Sequence, residues 1–170
     1  MLKFEKVSQE QYDADIDALA EEKTVTDYRK SCYDDIKLPK RATKGSAGYD
    51  FYAPYQLFVR ANTWYTMPLG IKFVSDAHNV FLMMVPRSGL GFKYNFQLSN
   101  TCGIIDYDYQ FAKNDGHIML KFRVNQDIMI DKGQAIIQGI FTTYLITDDD
   151  EAIFNERIGG FGSTSVQKVV

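Results

Sequence analysis

Three consecutive residues in the stretch PRSGLGFK, Arg87, Ser88 and Gly89, set a guanidinium, a hydroxyl and an unhindered backbone amide side by side. A site for a strongly anionic group needs those donor types on closely spaced loops. The closing stretch RIGGFGSTSV is also rich in donors, with Arg157 before three glycines around Phe161, then Ser163, Thr164 and Ser165. It has the composition of a phosphate-wrapping loop, but no helix can follow it to supply the dipole that a P-loop uses. Three more stretches place glycine beside polar residues: KGSAGYDFYA with Asp50, NTCGIIDYDYQ with Asp106 and Tyr109, and DKGQAIIQG with Gln138. Taken alone, PRSG and DKG also read as turns, the closing loop as a linker, and each aspartate as a turn former.

The elements that must position these residues are mostly strands. From Tyr52 onward, short runs rich in Val, Ile, Phe, Tyr and Thr are separated by turn residues: YQLFV, TWYTMPL, IKFV, NVFLMMV, HIMLKFRV, DIMI and AIIQGIFTTYLI. In HIMLKFRV, Ile118, Leu120, Phe122 and Val124 alternate with Met119, Lys121 and Arg123, as in a strand with one buried face. The pattern predicts an all-β sandwich, jelly roll or barrel. One amphipathic helix is expected over about residues 9 to 22, where Ser8 and Gln11 could form a capping box and Tyr12, Ile16, Leu19 and Ala20 share a face. The charged stretch after it reads as extended or loop. The expected organisation is an N-terminal extension over 1–36, a β domain over 37–146 and a mobile C-terminal arm over 147–170.

Composition narrows the class of function. A chain of 170 residues, 45% hydrophobic, suits one domain with a real core. Nineteen basic against 22 acidic residues, a net charge of −3, give no broad field for nucleic acid, although a small anionic ligand remains compatible. Cys32 and Cys102 stand far apart and read as free thiols in a reducing compartment. Without a secretory h-region or a run long enough to span a membrane, the sequence predicts a soluble cytoplasmic protein.

In their joint order, the five stretches resemble the five motifs of the trimeric dUTPase family (deoxyuridine triphosphate nucleotidohydrolases), from about Lys37 to Val166. The resemblance implies a jelly-roll-like distorted β-barrel, hydrolysis of dUTP to dUMP and pyrophosphate, Mg²⁺ as cofactor, and a homotrimer with shared sites. Arg87 becomes a phosphate ligand, Ser88 the hydroxyl at the α/β bridge, and Gly89 their neighbour. Asp106 becomes the general base, at what reads as a tight hairpin, and Tyr109 the ring that lies against the deoxyribose and refuses a 2′-hydroxyl. Asn100, Gly103, Ile105 and Met119 would meet the base, and Gln138 the phosphates. Asp50 would sit near the Mg²⁺ water shell. In the arm, Arg157 would reach the γ-phosphate, Phe161 cover the uracil, and Gly162, Ser163 and Thr164 donate to phosphate oxygens. Motifs one, two and four would come from one subunit, the Asp106 hairpin from a second and the arm from a third.

The chain departs from the commonest family pattern twice. Six residues, QFAKND, separate Tyr109 from Gly116, an insertion of about five that strand register tolerates if it bulges into solvent. The closing motif is one residue short between Arg157 and Gly159. His117 reads as a surface or packed residue. Two rivals remain. A dCTP deaminase needs an acid or base beside the nucleobase, and the five stretches hold no glutamate. A nucleotide-switched regulatory protein would use the N-terminal helix and the QFAKND loop as partner surfaces, which otherwise read as ordinary surface elaboration.

Overall fold

Runs of β-branched and aromatic residues cut by turns leave the chain little choice but short antiparallel strands. The computed structural model describes residues 1–21 and 33–151, with the backbone alone for residues 20 and 21. A strand at Leu2–Lys6 (β1) and a helix at Gln9–Glu21 (α1) come first. Strands follow at Tyr49–Tyr52 (β2), Leu57–Val59 (β3), Tyr65–Pro68 (β4), Ile71–Ser75 (β5) and Val80–Pro86 (β6). A short helix at Ser88–Tyr94 (α2) leads to Gln97–Leu98 (β7), Gly103–Ile105 (β8), Met119–Arg123 (β9), Ile128–Ile130 (β10) and Ala135–Thr143 (β11). The sheets run β1-β5, β10-β3, β4-β9-β7 and β2-β11-β6-β8, and among the described residues none closes into a barrel.

All seven runs read as strands hold strands. In the run HIMLKFRV, Ile118, Leu120, Phe122 and Val124 are buried, while Lys121 is exposed. Four further strands, β1, β2, β7 and β8, were not anticipated, because they are two to five residues long and lie in polar or glycine-rich sequence. Helix α2 was also not anticipated. Gly89 and Gly91 weaken its intrinsic propensity, and Leu90 is its one buried residue, so tertiary packing decides its conformation.

Helix α1 forms where the spacing placed it, with Tyr12, Ile16 and Leu19 buried; the side chain of Ala20 lies outside the described residues. The capping box is only half formed. Ser8 Oγ accepts the Gln11 N–H at 3.2 Å, but the Ser8 N–H donates to Asp115 Oδ2 at 2.7 Å, not back to Gln11. Nor do residues 1–21 pack apart from the β domain. β1 pairs with β5 from Leu2↔Ser75 to Lys6↔Ile71, and Val7, Tyr12, Ile16 and Leu19 join the same core as Phe51, Phe73 and Phe122. Phe4 packs edge-on against Phe51 with ring centroids 5.2 Å apart. Of the expected loop after α1, residues 33–35 form a 3-10 turn and Ile36 is buried. Of the expected arm, residues 147–151 are described and include a turn closed by Asp150 N–H on Thr147 O.

Candidate active site

The first half of the site follows from sheet register. Phe51 of β2 and Ile137 of β11 point into the core, 1% and 0% exposed, so their neighbours Asp50 and Gln138 face the other way. Asp50 lies directly across from Gln138, and Gln138 across from Val85 of β6, two residues before Arg87. Opposite residues on an antiparallel pair share a face, and three stretches far apart in sequence therefore converge. Arg87 Nε lies 2.9 Å from Asp50 Oδ1, and its Nη1 donates to Ala135 O at 3.0 Å. Gln138 Nε2 donates to Pro86 O at 3.2 Å. A Cβ on Gly48 would stand 2.7 Å from Gln138 Oε1, so glycine in KGSAGYD gives the amide its room.

Ser88 and Gly89 are exposed at the start of α2. A Cβ on Gly89 would meet nothing within 4 Å, so core packing does not explain that glycine. The Arg87 side chain does not cap the helix, and the first-turn amides have no intrahelical partners. Lys40, which the motifs did not single out, exchanges both backbone hydrogen bonds with Asp50, at 3.3 and 2.8 Å. Its side chain thus starts from the same face as Asp50.

The second half of the site lies where two sheets part. β8 pairs with β6, whereas β9 pairs with β4 and β7, so β8 and β9 are not partners. The tight hairpin expected at Asp106 is in fact a split. The chain crosses from one sheet to the other through a 3-10 turn at Tyr107–Phe111. A cavity of about 330 Å³ occupies the gap, and Asn100, Gly103, Ile105 and Met119 all line it. A Cβ on Gly103 would approach Met84 Cβ to 3.0 Å, so glycine lets β8 lie close on β6. Thr66 and Lys121, paired across β4 and β9, line the cavity too and were missed. The signal was present, since Lys121 shares the face of Met119 in the alternation.

Asp106 is exposed just after β8, with φ −71° and ψ 160°, and its side chain does not cap the turn that follows. Its backbone carbonyl accepts the Tyr109 N–H at 3.1 Å. Tyr109 is 3% exposed; its hydroxyl donates to His117 O at 2.9 Å and accepts from Asn114 Nδ2 at 2.9 Å. The ring belongs to the core cluster and is not among the residues lining the cavity.

The QFAKND loop does not bulge wholly into solvent. Ala112 is buried, Gln110 exchanges hydrogen bonds with the backbone of Ser75, at 3.3 Å each way, and Asp115 reaches Ser8 and Lys72. Polar side chains that mimic backbone partners hold the loop in, leaving Phe111 and Lys113 outward. Burial pushes the Asp115 carboxyl up, but the Lys72 hydrogen bond, the Ser8 amide and the Lys72 charge outweigh it and hold the group below the usual carboxylate range. His117 is fully buried, a packed residue.

Arg157, Phe161, Gly162, Ser163 and Thr164 lie outside the described residues, as does Cys32; Cys102 is a half-buried free thiol. No group of three or more His, Cys, Asp and Glu gathers among the described residues. No described helix is long and apolar enough to cross a membrane.

The chain is similar to known proteins in sequence and in fold. The deoxyuridine 5'-triphosphate nucleotidohydrolase of Lactococcus lactis subsp. lactis is 37% identical over 144 residues, covering 82% of this chain and 93% of that protein. The crystal structure of dUTPase from Streptococcus mutans superposes with a TM-score of 0.62 at 27% identity, covering 86% of this chain and 98% of that one. The fold is thus the jelly-roll-like one of the solved dUTPases. The dUTPase of phage phi11 of S. aureus, described with a structural Mg(II) ion, shares that fold at 12% identity and a TM-score of 0.61, over 89% of this chain and 96% of its own. A sequence model of the dUTPase family matches residues 34–165, a span that holds the Asp50–Arg87–Gln138 face and the split between β8 and β9. The chain belongs to the dUTPase family.

Proposed function

We infer that this protein is a dUTP diphosphatase, converting dUTP and water to dUMP and pyrophosphate. The observation that carries the reading is the meeting of Asp50, Arg87 and Gln138 on one sheet face of a dUTPase-family chain. Asp106 holds a water in line with the α-phosphorus and takes its proton. Arg87, Ser88 with the amide of Gly89, Gln138 and Arg157 hold the charge that grows on the departing pyrophosphate. The cavity between β8 and β9 takes the uracil, where Asn100 and the main chain of Gly103, Ile105 and Met119 meet the N3–H donor and O4 acceptor that distinguish it from cytosine. Tyr109 backs the sugar side from within the core, its hydroxyl fixed on His117 O. Phe161, Gly162, Ser163 and Thr164 close over the bound nucleotide.

The donor set suits Mg²⁺ carried by the substrate. Asp50 is a carboxylate on the phosphate-side face, already engaged by Arg87, which favours contact through water over direct ligation. Mg²⁺ would supply charge neutralisation for the triphosphate, with Asp50 placed to meet its water shell. A homotrimer with shared sites completes the reading; Phe92 and Leu145, 95% and 96% exposed, are large apolar side chains that one chain leaves uncovered. Separate incubation with dUTP and dCTP tests the reading. The expected result is equimolar dUMP and pyrophosphate from dUTP; ammonia from dCTP with dUTP untouched overturns it.

A further inference from the structure

Residues 1–21 lie outside the span matched by the family model and the QFAKND loop lies within it, yet the two are tied to each other. Asp115, at the end of the loop, accepts the Ser8 N–H at 2.7 Å and the Lys72 ammonium at 2.6 Å. Two residues on, the buried His117 ring is held from both sides. Gly70 N–H donates to Nε2 at 2.7 Å, which fixes the ring proton on Nδ1, and Nδ1 lies 2.6 Å from Asp15 Oδ2 of α1. The His117 carbonyl in turn accepts from the Tyr109 hydroxyl at 2.9 Å and from Asn114 Nδ2 at 3.2 Å. Ile118, the next residue, has its N–H on Ile71 O at 2.9 Å and its carbonyl on Leu69 N–H at 3.1 Å, and it begins the cavity wall that Met119 continues.

We propose that His117, oriented by Asp15 of the N-terminal helix, is a positioning residue that sets Tyr109 and the start of β9, so that sugar and base discrimination depends on the first 21 residues. The inference rests on the dUTPase reading. The ring itself, 0% exposed, does not touch the substrate and acts through its two neighbours. Both its nitrogens are engaged, so the imidazole has one tautomer and one orientation available. Losing the Asp15 acceptor leaves a buried N–H to find another partner, and the carbonyl on the same residue moves with the ring. A displaced wall changes the contacts that tell one nucleotide from another, and selectivity is the difference between those contacts.

The test compares Asp15→Leu, which removes the acceptor, with Asp15→Asn, which keeps one. Both are full-length chains assayed well below their melting temperatures. Asp15→Leu is expected to raise KM for dUTP and to narrow the dUTP-over-UTP preference in kcat/KM about tenfold, with kcat nearly constant and Asp15→Asn close to wild type. A lowered melting temperature with unchanged KM and unchanged preference overturns the proposal, because a merely structural tie would behave that way. If Asp15→Leu does not fold, Asp115→Ala removes the second, partly exposed tie, and the same shift in preference is required of it. Hydrogen exchange of residues 109–120 in the nucleotide-free protein reads the brace without any turnover. Unchanged exchange in Asp15→Leu overturns it. A wild type inert toward dUTP overturns the proposed function and the selectivity role with it, while the exchange result still decides whether α1 fixes this wall.

Discussion

The two halves of the candidate site, the one proposed for the phosphates and the one proposed for the base, are positioned differently. On the phosphate side, Asp50, Gln138 and Arg87 are positioned by backbone ladders: each residue's place follows from the strand it belongs to and the register of that strand. On the base side, β8 and β9 keep their ladders in separate sheets, and the segment between them adds to its local backbone turns side chains that bond across great sequence distance. Asp15 and His117 are 102 residues apart, and Ser8 and Asp115 are 107 apart. A ladder tolerates most changes in the side chains around it, because many bonds share the task of alignment. A segment held by a few long-range side-chain bonds depends on each of them.

The largest expected effect falls on Asp106, just after β8. Asp106→Asn is expected to lose roughly 10²-fold or more in turnover while still binding dUTP; near-normal kcat alongside calorimetric binding would remove Asp106 from its role. Arg87→Lys keeps the charge but loses the fork that spans Asp50 and Ala135, and kcat/KM is expected to fall by about tenfold for dUTP and UTP alike. Equal loss on both nucleotides is the mark of a phosphate-side change, and a shifted ratio would dissolve the distinction between the halves. Tyr109→Ala is expected to do the reverse, raising UTP hydrolysis relative to dUTP, with a folding cost of about 3 kcal/mol for the emptied core position. An unchanged nucleotide ratio with the stability loss alone would confine Tyr109 to packing.

The smallest effect is on acid stability. Because Asp115 titrates below its ordinary value in the folded protein, its contribution is complete above an ordinary aspartate pKa of about 3.9 and is lost as pH falls through the lower folded value. Asp115→Asn should therefore unfold more easily than wild type at neutral pH and differ less from it near pH ~3, as urea midpoints at the two pH values would show. A gap that widens toward acid would reverse the sign assigned to this group.

The Asp50–Arg87–Gln138 face was more legible in the sequence than the gap between β8 and β9, for a physical reason. Arg87, Ser88, Asp50 and Gln138 sit in stretches whose glycines and polar residues stand out locally, and strand alternation then fixes which way they face. β1 stayed hidden because LKFEK is charged on one face and lies at a sheet edge, where half-exposed strands carry a weak pattern. α2 stayed hidden behind its glycines. The split between β8 and β9 could not be read at all, since pairing partners are a tertiary choice and the motif reads as a hairpin either way. Likewise, nothing local marks Asp15 as the partner of His117: an aspartate on a helix and a histidine two residues before a strand acquire meaning only when packing buries the ring.

The joint between the N-terminal helix and the QFAKND loop also limits how this protein can be rebuilt. A chimera that kept QFAKND but replaced the first 21 residues would leave Asp115 without the Ser8 amide and His117 without its carboxylate. One that kept the helix and trimmed the loop would remove the carboxylate that takes up the Ser8 N–H in place of Gln11. The two segments therefore behave as a single transferable cassette, to be grafted or deleted together, although more than eighty residues of chain lie between them.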